Sequence, residues 1–139
     1  MDRQDAYLLV QQYIEGWKGN SPSDILSTLS LDCVVRESHG PTYRGKELVK
    51  EWIETWIGAG NTIERWEVDN FVFDGEVAAL EWHFECTVAG EKKRLLGASL
   101  VRFEGSAIAE IREYRMTQRP FDWSSERAKA RDEASRNDD

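Results

Sequence analysis

The spacing of apolar residues changes once along this chain of 139 residues, and that change limits the folds it can adopt. Up to about residue 58, apolar residues recur three or four positions apart, as on one face of an α-helix. From residue 62 onward, they alternate with polar residues, which is typical of β-strands. The sequence therefore predicts helices first and a sheet afterwards, an α+β layout in which the helices lie on one sheet face.

Three helices are predicted in the first part of the chain. Residues 3–18 form the first helix, which Gly19 ends. A short second helix follows, with Pro22 in its first turn. Residues 48–57 carry the apolar face of the third helix, and residues 33–37 form a short strand between the second and third helices.

The second part of the chain has four predicted strands joined by tight turns. Asp74-Gly75 is a strong hairpin signal, and Ala89-Gly90 is a second turn. Long strands with such short connections form an antiparallel meander. The predicted strands are residues 63–73, 76–88, 94–103 and 108–116.

Length and composition favour one globular domain. A hydrophobic content of 40% and six Trp residues favour a packed core over disorder. We expect residues 1–119 to form this domain and residues 120–139 to be a charged tail, either a frayed helix or disordered.

Charge and hydropathy exclude several classes of partner. A formal net charge of −8 argues against nucleic-acid binding, which needs a basic patch. No apolar run approaches the roughly 20 residues of a membrane span, and the polar start of the chain is unlike a signal peptide. Cys33 and Cys86 fall in strand-like runs, where small buried hydrophobes are expected rather than a disulfide. The sequence thus predicts a cytoplasmic protein.

Residues 76–88 alternate without a break, and the orientation of this strand decides where its titratable groups lie. Alternate side chains point to opposite faces, and by pattern alone the polar row faces water. Metal binding is not expected, because alternate residues stand ~6–7 Å apart, a loose spacing for metal ligands. One row holds Val77, Ala79, Glu81, His83, Glu85 and Thr87; the other holds Ala78, Leu80, Trp82, Phe84, Cys86 and Val88.

Three stretches of sequence resemble SnoaL-like proteins of the nuclear transport factor 2-like superfamily. They are residues 31–35 (LDCVV), residues 43–47 (YRGKE) before the third helix, and residues 101–114, where VRFEG leads into IAEIREY. The resemblance implies a cone-shaped fold, in which a curved, mainly antiparallel sheet wraps the three helices. It also implies a pocket on the concave face and often a homodimer through the convex face. Relatives such as limonene epoxide hydrolase, ketosteroid isomerase and polyketide cyclases act mostly on small apolar molecules, by acid–base chemistry without a metal or other cofactor.

The resemblance to limonene epoxide hydrolase inverts the expected orientation of residues 76–88. It places Glu81 and His83 in the pocket, together with Glu113 on the last strand and Glu37 on the first. His83 would act as general base or acid, with the carboxylates orienting it or serving as the partner acid. The row containing Leu80 and Trp82 would then lie on the convex face and form the homodimer interface. The other residues expected on that face are Phe84, Cys86, Trp66, Val68, Leu100 and Tyr114.

The same resemblance suggests further pocket residues. Small side chains would leave room for a ligand, aromatic ones would form its walls, and a residue of the tail would close its mouth. Plain core packing, or a place at the sheet margin for Arg65, is the alternative for these positions. The candidates for substrate binding are Trp17, Val35, Trp56, Arg65, Gly97, Ser99 and Phe121.

Two classes of function follow from the sequence. The first is an acid–base enzyme that acts on a small apolar molecule as an isomerase, dehydratase, cyclase or hydrolase. The second is a non-catalytic ligand-binding or dimerisation module, and a subunit that pairs with a partner enzyme is a further possibility.

Overall fold

The computed structural model describes residues 1–124, 129–131 and 133–134, and within these ranges it confirms the predicted α+β fold. The expectation of a frayed or disordered tail over residues 120–139 falls for half of that range on residues outside the described ones. The elements are α1 (Arg3–Lys18), α2 (Pro22–Leu26), β1 (Leu29–Glu37), β2 (Thr42–Arg44), α3 (Lys46–Gly58), β3 (Thr62–Phe73), β4 (Val77–Val88), β5 (Glu91–Glu104) and β6 (Ala107–Arg115).

The strands form one sheet within the described residues, in the order β2-β1-β6-β5-β4-β3. Strands β3 to β6 form the predicted antiparallel meander. Strand β1 joins the meander in parallel with β6, its distant neighbour in sequence. The sequence analysis did not predict β2, a strand of only three residues that pairs with β1 at the sheet edge.

The first two helices begin at polar caps that the sequence supplies. Asp2 and Asp5 form a capping box at the start of α1, each side chain accepting a hydrogen bond from the other residue's backbone N–H. Ser21 caps α2 through the backbone N–H of Asp24. Buried side chains of α1 and α3, such as Ile14 and Ile53, belong to one hydrophobic core with the sheet.

We call the sheet face that packs against the helices the inner face, and the opposite one the outer face. On β4, Leu80 and Trp82 lie on the inner face, with only 4% and 5% of their surface exposed. Glu81, between them, is exposed on the outer face. The inverted orientation predicted for residues 76–88 is therefore wrong, because the large apolar row fills the space beneath the helices.

This correction also removes most of the predicted dimer surface. Leu80, Trp82 and Cys86 are buried within the single chain and cannot form a convex apolar face. Strand side chains alternate with a period of two, so a one-residue error in aligning β4 moves every side chain to the other face. Leu100 and Tyr114, which were expected on the convex side, do lie on the outer face and are exposed.

No helix among the described residues is long and apolar enough to cross a lipid bilayer.

Candidate functional site

A cavity of about 270 Å³ opens on the inner face between the sheet and the helices α1 and α3. Aromatic side chains form much of its wall. Trp17 packs against Trp52 and Trp56, with ring centroids 4.9 Å and 6.1 Å apart. Trp66 and Phe84 line the sheet side and meet edge-to-face at 5.2 Å. The wall therefore suits a flat, largely apolar ligand.

Two carboxyl groups, those of Glu37 and Glu113, line the same cavity. Glu37 ends β1 and is paired in register with Glu113 on the parallel strand β6. Neighbouring strands lie about 4.8 Å apart, so both half-buried side chains emerge side by side on the inner face. The loop after β1 is fixed to β6, since the Ser38 N–H donates to the Glu113 carbonyl at 2.8 Å.

The two carboxyls differ in how strongly they hold a proton. Burial, and then the charge of Glu37, raises the pKa of Glu113 to about 8. Burial also raises the pKa of Glu37, but His39, the Tyr43 hydroxyl and Arg115 all oppose that rise. His39 Nε2 lies 3.5 Å from the Glu37 carboxylate. Near neutral pH, the arrangement therefore favours a proton on Glu113 and a negative charge on Glu37.

Two tyrosines accompany the carboxyl pair. Tyr43 stacks on Trp52 at 4.1 Å, and burial together with Glu37 raises its pKa to about 12. Tyr13 is buried, and burial followed by the charge of Glu113 raises its pKa well above the usual value. Both phenols therefore keep their protons at neutral pH and can only donate or share them in hydrogen bonds.

The mouth of the cavity is cationic. Lys93 on β5 and Arg115 on β6 both line the cavity, as does His39. These three residues are exposed, whereas Glu37 and Glu113 are half-buried.

Four of the predicted site residues line this cavity: Glu37, Glu113, Trp17 and Trp56. Val35, predicted beside them, is fully buried in the core instead.

The two small residues of β5 do not make room for a ligand. Gly97 faces the Trp82 indole across the β4–β5 pair, and a Cβ atom at Gly97 would overlap that ring. Ser99 is buried and accepts a hydrogen bond from Trp82 Nε1 at 2.9 Å. The space that was predicted for a ligand is thus filled by Trp82, although Ser99 and Glu113 do border a separate void of about 10 Å³.

The structure places Glu81 and His83 on the outer face, away from Glu113. Glu81 accepts a hydrogen bond from the Asn70 amide at 2.8 Å. His83 Nε2 lies 2.7 Å from the Asp69 carboxylate, on a bulge of β3. The predicted grouping of these two residues with Glu113 is wrong for the same reason as the strand orientation.

Two other predicted positions also lie away from the cavity. Arg65 is on the outer face and pairs with Glu67 at 2.9 Å. Phe121 is 55% exposed and does not line the cavity.

The sequence analysis missed Trp52, Trp66, Phe84, Tyr43 and Arg115. Trp52 lies four residues before Trp56, on the same face of α3, so helical spacing alone was a usable signal. Trp66 and Phe84 were predicted to lie on the convex face. Placing the apolar row of residues 76–88 toward the core, as its pattern alone suggests, would have identified both as cavity residues. Among the described residues, no group of three or more His, Cys, Asp or Glu side chains could hold a metal ion.

Solved structures support the fold assignment. An epoxide hydrolase from M. tuberculosis, described as limonene epoxide hydrolase-like, is 12% identical, with a TM-score of 0.74; 82% of this chain and 84% of that one are covered. A nuclear transport factor 2-like protein from Burkholderia xenovorans LB400 is 17% identical, with a TM-score of 0.70 and coverage of 84% and 93%. A protein with a ketosteroid isomerase-like fold from Catenulispora acidiphila DSM 44928, solved in complex with trimethylamine, is 20% identical, with a TM-score of 0.65 and coverage of 76% and 83%. At these identities, the likeness concerns the fold alone.

The sequence comparisons identify the family. No curated protein sequence matches significantly. The profile of the SnoaL-like domain, however, matches residues 10–111. That span covers most of the chain and most of the sheet. It includes Glu37 and the three tryptophans of the cavity wall that lie on α1 and α3. The protein therefore belongs to the SnoaL-like domain family.

Proposed function

We propose that this protein is an acid–base enzyme that acts on a small, largely apolar molecule, with Glu37 and Glu113 as the catalytic pair. The observation that carries this proposal is the side-by-side placement of two half-buried carboxyls on paired strands in an aromatic cavity. Neither Glu81 nor His83 takes part, because both side chains lie on the opposite sheet face.

The roles of the two carboxyls follow from their surroundings. With a pKa of about 8, Glu113 is mostly protonated at pH 7 and serves as the general acid. Glu37 has His39, Tyr43 and Arg115 to stabilise its charge and serves as the general base. Two carboxyls whose environments separate their proton affinities can supply both an acid and a base at one pH.

In the reaction we propose, the substrate loses one proton to the general base and gains one from the general acid. Glu37 takes a proton from a C–H or O–H bond, while Glu113 gives its proton to the oxygen on which negative charge develops. The carboxyl pair keeps its total charge, and a second exchange with substrate or water returns the proton to Glu113. Enolisation, isomerisation and dehydration all share this exchange. The tryptophan walls would hold a flat substrate against the pair and exclude water from it.

A test of this proposal does not require the natural substrate. 2-Tetralone is a flat, apolar ketone with acidic C–H bonds, and its deuterium uptake from D2O can be followed by mass spectrometry. We expect the protein to accelerate this uptake, and Glu37→Gln or Glu113→Gln to reduce the acceleration about 100-fold or more. Glu110→Gln, on the outer face of the same strand as Glu113, is the matched control and should retain it.

Two results would contradict the catalytic proposal. One is the absence of any acceleration over buffer. The other is equal acceleration by the wild type and both cavity variants, which would place the exchange elsewhere on the protein.

A ligand-binding module without catalysis is the second candidate. The share of aromatic side chains in the cavity wall favours it, since stacking alone can retain an apolar ligand. In that case 2-tetralone or a related ketone binds with measurable heat, but its deuterium uptake stays at the rate in buffer.

A homodimer through the outer face remains a prediction, now without the row of Leu80 and Trp82. The outer face still exposes Val72, Leu100 and Tyr114. Light scattering after size-exclusion chromatography measures the mass directly. A mass of one chain at all concentrations would contradict the dimer.

A further inference from the structure

The two cations at the mouth of the cavity have no ion-pair partner among the described residues. Arg115 lies near enough to Glu37 to lower its pKa, but neither Arg115 nor Lys93 has an acidic group of the described part of the chain within ion-pair distance. By contrast, arginines on the outer face of the same two strands are paired with acids. Arg94 on β5 lies 2.9 Å from Glu85, and Arg112 on β6 lies 2.7 Å from Glu110. In a chain with 26 acidic and 18 basic residues, both exposed basic residues that line this opening therefore lack a described acid within ion-pair distance and stand free to meet a ligand.

We propose that the ligand of this cavity carries a carboxylate, which binds between Arg115 and Lys93 while its apolar body lies among the tryptophans. This inference rests on the proposed function only for the cavity itself and adds the chemical class of the substrate. A carboxylate accepts hydrogen bonds from guanidinium and ammonium donors, and such charge-assisted bonds are stronger than neutral ones.

The register between β5 and β6 sets the distance between the two cations of the anion site. Arg115 is paired with Gly97 across the β5–β6 ladder, and Lys93 lies four residues from Gly97 on the same face of β5. At ~3.3 Å per residue, the two positions stand ~13 Å apart. Both side chains are long and flexible, so they can converge on one anion from opposite sides. Leu95, which lies between them and lines the cavity, gives their aliphatic stems an apolar surface to cover.

The charges of the cavity also orient such a ligand. The ionised Glu37 repels an anion from the part of the cavity near the carboxyl pair, while the cations at the mouth attract it. The carboxylate therefore stays at the mouth, and the apolar end of the molecule points toward Glu37 and Glu113.

A cationic ligand fits this distribution less well. Aromatic faces attract ammonium groups, and Glu37 would add to that attraction. A cation, however, must pass Arg115 and Lys93 to reach them.

Three probes of matched shape test this assignment by isothermal titration calorimetry at low salt. They are 2-naphthylacetate, the neutral 2-naphthylacetamide and the cationic (2-naphthylmethyl)trimethylammonium. We expect the acetate to bind at least tenfold more tightly than the amide, and the cation to bind most weakly. Added salt should weaken binding of the acetate and leave that of the amide nearly unchanged.

Substitutions assign the preference to the two residues. Arg115→Gln and Lys93→Gln should each weaken binding of the acetate about five- to tenfold without changing that of the amide. Lys92→Gln is the control, because it removes the same charge from the adjacent residue, whose side chain is exposed and does not line the cavity.

The outcomes separate this inference from the catalytic one. Equal affinity for acetate and amide, tightest binding of the cation, equal losses in the Lys92→Gln control, or no binding of any probe would each overturn the carboxylate assignment. A carboxylate preference without deuterium exchange of 2-tetralone would uphold it and reject only catalysis. Deuterium exchange of 2-tetralone without a carboxylate preference would uphold catalysis and reject only the carboxylate assignment.

Discussion

Replacing Glu113 by Gln should change how the stability of the protein depends on pH. The pKa of Glu113 is about 8 in the folded state, against an ordinary value of 4.5. The folded state thus binds this proton more tightly than the unfolded state does. The contribution to stability is complete below pH 4.5, and it is lost as the pH rises toward 8.

The size of the effect follows from the gap between the two pKa values. One titrating group changes the free energy of unfolding by about 1.36 kcal/mol per pH unit, so a gap of about 3.5 units amounts to at most about 5 kcal/mol. That is a large part of the stability of a typical domain, which is about 5–15 kcal/mol. Gln resembles the protonated carboxyl in shape but cannot ionise, so Glu113→Gln should be free of this loss.

Urea unfolding followed by tryptophan fluorescence at pH 5, 6, 7 and 8 measures the effect. The wild type should lose several kcal/mol over this range, and Glu113→Gln distinctly less, with a remaining slope from the raised pKa of Glu37. At pH 8, the variant should be the more stable protein.

Glu110→Gln is the matched control on the outer face of β6. Burial opposes ionisation of Glu110, but the hydrogen bond from Arg112 and nearby arginine charges outweigh it and lower its pKa. Because the folded pKa of Glu110 lies below 4.5, its replacement should leave the slope between pH 5 and 8 as in the wild type. Equal slopes for the wild type and Glu113→Gln would refute the reasoning, since Glu113 would then ionise as it does in the unfolded chain.

Three further predictions concern packing, the outer face and the first helix. Gly97→Ala should lower the free energy of unfolding by roughly 1–3 kcal/mol in urea titrations, because the added methyl group overlaps the Tyr114 backbone carbonyl oxygen and the Trp82 indole; unchanged stability would mean that both the backbone and the indole can move aside. His83→Gln should leave the calorimetric affinity for 2-naphthylacetate within twofold of the wild type, because His83 lies outside the cavity, and a tenfold loss would contradict that placement. Asp2→Ala should cost about 1 kcal/mol of stability by breaking the capping box of α1, and an Asp2→Asn variant, which keeps the side-chain acceptor, should recover much of it.

The local signals in the sequence were enough to predict the fold. The change of period near residue 60 separates helices from strands, and tight turns join the strands of the meander. At Asp74-Gly75, for example, the Asp74 carboxylate accepts hydrogen bonds from the backbone N–H groups of Glu76 and Val77 at 2.9 and 2.8 Å. The pairing of β1 with β6 left no such signal, since it depends on residues far apart in the chain.

The site was predicted only in part, because its residues depend on which face of each strand points inward. Glu37 and Glu113 were identified through the family resemblance, but Glu81 and His83 were assigned to the wrong face. Alternation alone cannot distinguish the two faces of a strand with one polar row. The packing of the helices settles the question, since it buries Leu80 and Trp82 of β4 and leaves Glu81 exposed.

The parallel pairing of β1 and β6 has a consequence for the order of folding. The meander of β3 to β6 consists of hairpins between neighbours in sequence, which form quickly. The contact between Ser38 and Arg115 joins residues 77 positions apart, so it must close a much longer loop. Glu37 and Glu113 thus meet only when this slow step is complete, and amides at the β1–β6 junction should be among the last to gain protection from hydrogen exchange during refolding. A partly folded chain would then hold its hairpins while its two carboxyls remain separate and fully hydrated.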